Sequence, residues 1–163
     1  MFEAHTAERF REGMSRLGAA VTVLTRDGPA GQHGMTASAV CSVTDDPPTL
    51  LICVNRANRS RAMFAENGVV AVNVLAGRHT ELGQVFASRD DGERFAAADW
   101  HRLETGAPVL SDASVAFDCR ISDASEVGSH TVFYCRVAAT ELASHVPESL
   151  IWFGRRFHPL KAG

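Results

Sequence analysis

From Met35 to Val43 the chain alternates two kinds of side chain, and this period-two pattern constrains the fold more than any other feature. Odd positions carry Met35, Ala37, Ala39, Cys41 and Val43, while even positions carry Thr36, Ser38, Val40 and Ser42. Successive side chains of a strand point to opposite faces, so the segment reads as a strand with one apolar face and one small, mostly hydroxyl-bearing face. The same alternation returns over Val115 to Ile121 and from Thr131 to Val137. Thr49 to Val54 is a continuous apolar run of strand length, a pattern expected of a strand buried on both faces, and Val69 to Leu75 is another apolar strand, one whose outer face a partner copy is expected to cover. Ala20 to Arg26, forming a hairpin with Gly31 to Val43, and the short Leu150 to Phe153 add further strands.

Helical spacing is confined to the margins. Thr6 to Leu17 places Phe10, Met14 and Leu17 on one face, with Glu12 and Arg16 paired outside, and Gly18 is expected to end it. A short helix through Ala62 to Glu66 stops at Asn67-Gly68, and Arg78 to Ala87 is helical through Leu82, Val85 and Phe86. A polar loop over 88–92 and an irregular cover anchored by Phe95 and Trp100 follow, and Ser125 to Gly128 reads as a loop. Six or seven strands with a few peripheral helices predict a mainly β fold, an antiparallel barrel formed by one domain over residues 1–163.

Charge and cysteine usage narrow the function. The net charge of −3 has both signs interspersed and gives no general polyanion-binding field, so nucleic acid is not an expected partner. Cys41, Cys53, Cys119 and Cys135 lie in strand-like runs without Cys-x-x-Cys spacing. They read as buried free thiols in a reducing cytosol, with neither a zinc site nor a disulfide framework. No run approaches membrane-spanning length, and the N-terminal residues lack an apolar signal core, so a soluble cytoplasmic protein is expected.

The stretch from Gly34 to Ser60 gathers the features that suggest a ligand. Small hydroxylic side chains let a flat ring approach a strand and offer donors and acceptors to its edge, although a solvent-facing strand side would show the same period. Behind the Pro47-Pro48 reversal and the Thr49 to Val54 run come Asn55, Arg56, Asn58, Arg59, Ser60 and Arg61. If Asn58 or Ser60 caps the helix that follows, arginines stand in or beside its first turn, where the macrodipole disfavours cations. A bound phosphate resolves that conflict, so an anion site is expected there. No Ser-His-Asp, paired-carboxylate or metal-ligand constellation is evident, and there is no G-x-G-x-x-G.

The segments GMTASAVCSVTDDPPTLLICVNRANRS, VAVNVL, the Gly128-Ser129-His130 triplet and LIWFGRRFHPL resemble the flavin reductase family with the FMN-binding split-barrel fold. The similarity covers Phe10 to Leu160 and is greatest to the small reductase components of two-component aromatic hydroxylases, of the 4-hydroxyphenylacetate and chlorophenol 4-monooxygenase type. It implies a six- to seven-stranded Greek-key split barrel acting as a homodimer. NADH would reduce FAD or FMN, and the reduced flavin would diffuse to a partner oxygenase that hydroxylates a phenolic substrate. Carried over by residue, it places the flavin ring along Met35, Thr36, Ala37, Ser38 and Ala39 with contacts from Cys41 and Ser42. The ribityl and phosphate groups fall by Asn55, Arg56 and Ser60, with Phe86, Ala87 and Ser88 nearby. His130 is set beside the nicotinamide as the catalytic candidate, and Trp152, Phe153, Arg156 and Phe157 cover the NADH. Many relatives have Gly-Asp-His where this chain has Gly128-Ser129-His130, which puts any role of that acid in doubt here. A flavin carrier or redox sensor without turnover, and an oxidase of the pyridoxamine-phosphate type, are the alternatives on the same barrel plan.

Overall fold

The computed structural model describes residues 2–88, 94–144 and 148–163. Helix α1 (Phe2–Ser15) leads into a short β1 (Ala19–Ala20) and β2 (Thr22–Arg26), which turns back as β3 (His33–Ala37). Next come β4 (Val40–Asp45), β5 (Pro48–Asn55), α2 (Ser60–Asn67) and β6 (Val69–Val74). A 3-10 turn (Gly77–His79) precedes α3 (Thr80–Ala87), and a second one (Arg94–Ala97) precedes the small hairpin of β7 (Trp100–Arg102) and β8 (Pro108–Leu110). The long β9 (Val115–Val127) and β10 (His130–Leu142) and the C-terminal β11 (Glu148–Phe153) and β12 (Arg156–Lys161) complete the chain.

Seven strands form one antiparallel sheet in the order β3-β2-β6-β9-β10-β5-β4. Its two edges are β3 and β4, which are consecutive in the chain and joined by Ser38 and Ala39 alone. Laid flat, six inter-strand spacings of about 4.8 Å would hold those edges about 29 Å apart. Three peptide steps from Ala37 to Val40 reach at most about 11 Å. The sheet must therefore roll until its edges nearly meet, which makes a barrel with a seam.

The pleat divides the apolar residues between two cores. Leu24, Ile52, Val54, Val70, Val72, Cys119, Phe133 and Cys135 fill the barrel, and Phe64 of α2 closes one end against Phe133 at 6.1 Å between ring centroids. Val21, Val23, Ala71 and Ala116 face outward into a second core completed by Leu75, Leu82, Phe86, Val109, Leu110 and Leu150. That is why the Val69 to Leu75 run is apolar throughout: β6 is covered on both sides. Asn73 holds the outer layer in place, its Nδ2 donating to the Val23 carbonyl at 2.9 Å while its Oδ1 accepts from the Leu110 amide at 2.8 Å.

Several expectations need correcting. Only Leu50, Ile52 and Val54 of the Thr49 to Val54 run are buried, because one side of β5 faces the barrel and the other leaves Leu51 and Cys53 half-covered. The stripe expected to pack α1 inward is exposed, with Phe10 at 65%, Met14 at 46% and Leu17 at 59%, and α1 ends at Ser15, short of Gly18. The single strand expected to Val43 breaks at Ser38-Ala39, and the expected loop at 125–127 is the end of β9, with Gly128-Ser129 alone turning into β10. Beyond the expected last strand lies β12, made by a two-residue turn in which Gly154 and Arg155 both take positive φ (57° and 60°). Such mirror-image turns match the twist of a hairpin, and Pro159 is tolerated because β12 is an edge strand. The polar loop expected over 88–92 lies mostly outside the described residues.

Candidate active site

A cavity of ≈ 620 Å³ opens where the start of β3, the β5–α2 connection and the end of α3 converge. Its walls come from His33, Met35 and Thr36 on β3, from Asn55, Ala57, Asn58 and Arg59 between β5 and α2, and from Phe86, Ala87, Ser88 and Arg94. Each wall is fixed by an identifiable contact. Gly34 lets Phe86 lie over β3: a Cβ there would stand 2.6 Å from Phe86 Cε1 and 3.3 Å from the Leu24 carbonyl. Thr36 Oγ1 donates to the Gly83 carbonyl at 2.6 Å and ties β3 to α3. Arg94, almost fully buried, donates from Nη1 to the Gly34 carbonyl at 2.9 Å and from Nη2 to the Ser88 carbonyl, clamping the same two elements. Phe86, Phe95 and Trp100 back this wall as a cluster with centroids 5.1 to 5.7 Å apart.

The opposite wall is a turn held by its own side chains. Asn55 Oδ1 accepts from the Ala57 amide and Asn58 Oδ1 from the Ser60 amide, each at 2.9 Å. Such side-chain to backbone bonds are what Asn contributes at turns and helix starts. The helix boundary itself falls on Arg59, whose side chain makes no capping bond, and the first turn of α2 carries no acid. Its positive end is therefore turned toward the cavity's Asn58 and Arg59 with no negative side chain of its own.

The three clustered arginines part company. Arg56 Nε lies 2.7 Å from Glu126 Oε2, and its Nη1 donates to the Gly128 carbonyl. Arg61 pairs with Glu126 Oε1 and donates to Thr131 Oγ1 at 3.1 Å. Hydrogen bonds from Arg61 and Thr131 hold the Glu126 carboxyl below its ordinary range despite its exposure. Only Arg59 of the three lines the cavity, and the second cation there is Arg94, from a segment in which sequence periodicity was weak. His33 lines the same cavity. Burial, and then the nearby Arg26, Arg94 and Arg59, push its pKa down to about 4, so it is neutral at physiological pH.

Of the residues expected to bind ligand, Met35, Thr36, Asn55, Phe86, Ala87 and Ser88 share this cavity. Ala37 follows Thr36 on β3, Ser38 and Ala39 are exposed at the seam, and Cys41 and Ser42 are exposed on β4. Ser60 is fully buried behind the Asn58 turn, and its hydroxyl has no hydrogen-bond partner among the described residues. His130 is exposed on the β9–β10 turn, its Nδ1 2.9 Å from Ser129 Oγ, and it pairs across the strands with Asn55 of the cavity wall. Trp152 and Phe157 pack edge to face at 5.2 Å, with Phe157 against α3 beside Gly83, while Phe153 and Arg156 are exposed. The sequence reading passed over His33, Ala57 and Arg94. For Arg94 the one available signal was an arginine beside an anchoring aromatic, Phe95, which is half-buried.

A family model for the flavin reductase like domain matches residues 14–161. The chain belongs to that family. It is 53% identical over 150 residues to the FMN reductase (NADH) RutF of Bradyrhizobium diazoefficiens, covering 91% of this chain and 83% of that one. The RutF of Ancylobacter novellus, also named FMN reductase (NADH), is 51% identical over 156 residues, covering 95% and 86%. Among solved structures, BorF, the flavin reductase component of a bacterial two-component tryptophan halogenase, superposes with a TM-score of 0.87 at 28% identity, covering 96% of this chain and 99% of that one. The NADH:FAD oxidoreductase SgcE6 of Streptomyces globisporus C-1027, solved with NAD and FAD fragments, gives 0.86 at 29%, covering 93% and 91%.

Proposed function

We propose that this chain is an NADH:flavin oxidoreductase that releases reduced flavin to a separate monooxygenase component. The observation that carries the reading is the composition of the cavity. A ring-facing wall of Met35, Thr36 and Phe86, with the cation Arg94 bonded to it, stands across from a second cation, Arg59, at the start of α2. Its ≈ 620 Å³ fits the roughly 300–1,000 Å³ of small-molecule sites, and a flat group ending in phosphate matches its two kinds of wall. Family membership and the names of the curated relatives point the same way.

When bound, a flavin supplies the redox chemistry, accepting a hydride from the dihydronicotinamide. This chain's residues bind and orient. Thr36 is held against α3 by its bond to Gly83, so the strand wall stays at a fixed height. Phe86 is locked over Gly34 and offers an aromatic face. Arg59 and Arg94 attract the phosphate, and neutral His33 gives that end a hydrogen-bonding group without a further charge. His130, on the strand beside Asn55, positions the nicotinamide rather than donating a proton. The cavity is open to solvent, which suits a flavin that must leave as product.

An oxygenase partner is supported by a solved relative, the flavin reductase of the styrene monooxygenase of Pseudomonas putida S12, 25% identical, and delivery to a separate component by BorF, which belongs to a two-component halogenase. A phenolic substrate for that partner rests on the sequence resemblance. Reduced flavin carries no imprint of what the oxygenase will hydroxylate, so the reductase site need not encode it. The test is steady-state NADH oxidation with FMN, FAD and riboflavin, together with loss of the oxidised flavin's visible absorbance under argon. Flavin-dependent NADH consumption with reduced flavin recovered free in solution is expected. Binding of flavin without NADH consumption would make the protein a carrier and overturn the proposal.

A further inference from the structure

The start of α2 carries an electrostatic conflict that a distant part of the chain resolves. Arg59 stands at the helix boundary, Arg61 is the second residue of the helix, and Arg56 precedes both in the β5–α2 connection. Cations are disfavoured at that end of a helix, and the first turn of α2 has no acid to offset them. The carboxylate comes from β9. Glu126 pairs across the strands with Thr131 of β10, and Thr131 pairs with Val54 of β5, so the register sets Glu126 beside the end of β5.

Glu126 divides its two oxygens between the outer arginines. Oε2 lies 2.7 Å from Arg56 Nε, while Oε1 accepts from Arg61 Nη2 and, at 3.0 Å, from Thr131 Oγ1. Arg61 Nε donates to the same hydroxyl at 3.1 Å. The Arg56 amide donates to the Ser129 carbonyl at 2.9 Å and its Nη1 to the Gly128 carbonyl at 3.3 Å, which pins this arginine to the β9–β10 turn. The bonds from Arg61 and Thr131 hold the Glu126 carboxyl below its ordinary range, so its charge is present at physiological pH. A carboxylate shared in this way occupies the kind of donors that a phosphate would use. It does so in the very connection whose Asn55, Ala57, Asn58 and Arg59 line the cavity.

We propose that Glu126 is a positioning residue that acts as an internal competitor of the flavin phosphate: by holding Arg56 and Arg61 out of the cavity, it keeps flavin binding weak enough for the reduced flavin to leave. The assignment rests on the flavin reading of the cavity. Ion pairs as exposed as these add little to stability. A unit charge beside an anion site nevertheless changes the affinity for the anion, whether or not it changes the fold. With that charge removed, three guanidinium groups would gather at one helix start, two of them released to turn toward the phosphate. A substitution outside the cavity should therefore improve binding, which damage to the fold does not do.

The test is fluorescence titration of the whole protein with FMN and with riboflavin, on wild type, Glu126→Gln, Glu126→Asp and the double variant Arg56→Gln with Glu126→Gln. Glu126→Gln should tighten FMN at least about fivefold in roughly 50 mM salt, and the gain should shrink in roughly 500 mM salt, where exposed charges are screened. Riboflavin has no phosphate and should shift less than about twofold in every variant. Glu126→Asp keeps the charge and should bind FMN within about twofold of wild type, while the double variant should give back most of the gain. A wild-type protein that binds neither flavin would sink the flavin reading itself, before any variant is compared. With wild-type binding intact, an FMN affinity that Glu126→Gln leaves unchanged or weakens, or equal gains for FMN and riboflavin, would overturn the competitor role. Glu126→Asp binding FMN as tightly as Glu126→Gln would overturn it too, because contact rather than charge would then set the affinity.

Discussion

At the scale of single residues, the site turns on which guanidinium groups face the cavity. Composition showed Arg56, Arg59 and Arg61 together, but Glu126, which engages the outer two, lies far along the sequence on β9. No local pattern reveals that pairing, so the anion-facing role could be assigned to the cluster and not to its members. Arg59→Ala should weaken FMN binding by roughly 1.5 to 3 kcal/mol, the range for hydrogen bonds to charged groups, while riboflavin, which lacks the phosphate, changes little. Fluorescence titration with both flavins checks this, and equal losses would point to damage to the fold. His33 gives a pH signature. Its pKa falls from the ordinary 6.5 to about 4 on folding, so between those values the unfolded chain binds more protons than the folded one. Stability should therefore fall as pH is lowered from about 6.5 toward 4, by on the order of 1 to 2 kcal/mol once solvent screening of a half-exposed ring is allowed for. His33→Gln should flatten that part of the profile in thermal melts recorded across the range.

At the scale of elements, alternation was legible because strand faces repeat every two residues: β9, which runs on to Val127, and β10 lie where that period placed them, and β5 and β6 where continuous apolar runs of strand length did. What escaped was set by contacts distant in sequence or by turn geometry. β12 hides behind Arg155 at positive φ, a conformation that an arginine does not advertise. The β7–β8 hairpin is too short for its period to be read, and it is held by Asn73 of β6 through the Leu110 amide. Asn73→Leu leaves the Val23 carbonyl and that amide without their partner in a dry layer, and should cost roughly 2 to 3 kcal/mol in urea denaturation. The β3–α3 contact is as demanding. Gly34→Ala must displace the Phe86 ring, with an overpacking penalty of about 1 to 3 kcal/mol and a weaker grip on FMN, because that ring is also a cavity wall. An alanine variant with wild-type melting and wild-type FMN affinity would show that the close approach does not matter.

At the scale of the whole molecule, part of the apolar surface left uncovered lies where the sequence expected packing. Phe10, Met14 and Leu17 lie exposed along α1 and its end, while Val43, Val127, Leu142, Phe153 and Leu160 are exposed on the strands. Single exposed apolar residues are unremarkable, but a stripe at helical spacing is a surface for a partner. A homodimer of twice 17.5 kDa is the expected state in light scattering, and Phe10→Glu combined with Leu17→Glu should shift it toward monomer if α1 takes part. A wild-type protein that scatters as 17.5 kDa at micromolar concentration would refute the dimer.

The seam gives the molecule a built-in place to breathe. Among the described residues β3 pairs within the sheet only with β2 and β4 only with β5, so their outward-facing amides belong to no ladder, and β4 can part from β3, which Thr36 and Arg94 tie to α3, by swinging about Ser38 and Ala39. A fully closed cylinder would have to tear hydrogen bonds to do the same. In deuterium exchange, β6 and β9, paired on both sides, should trade their amide protons slowly, while the outward amides of β3 and β4 should trade them quickly. Saturating flavin should slow the β3 amides beside the cavity and leave those of β6 as they were. The loosest hem of the fabric and the mouth of the site would then be the same stretch of backbone, and the rate at which it opens would bound how fast product can leave.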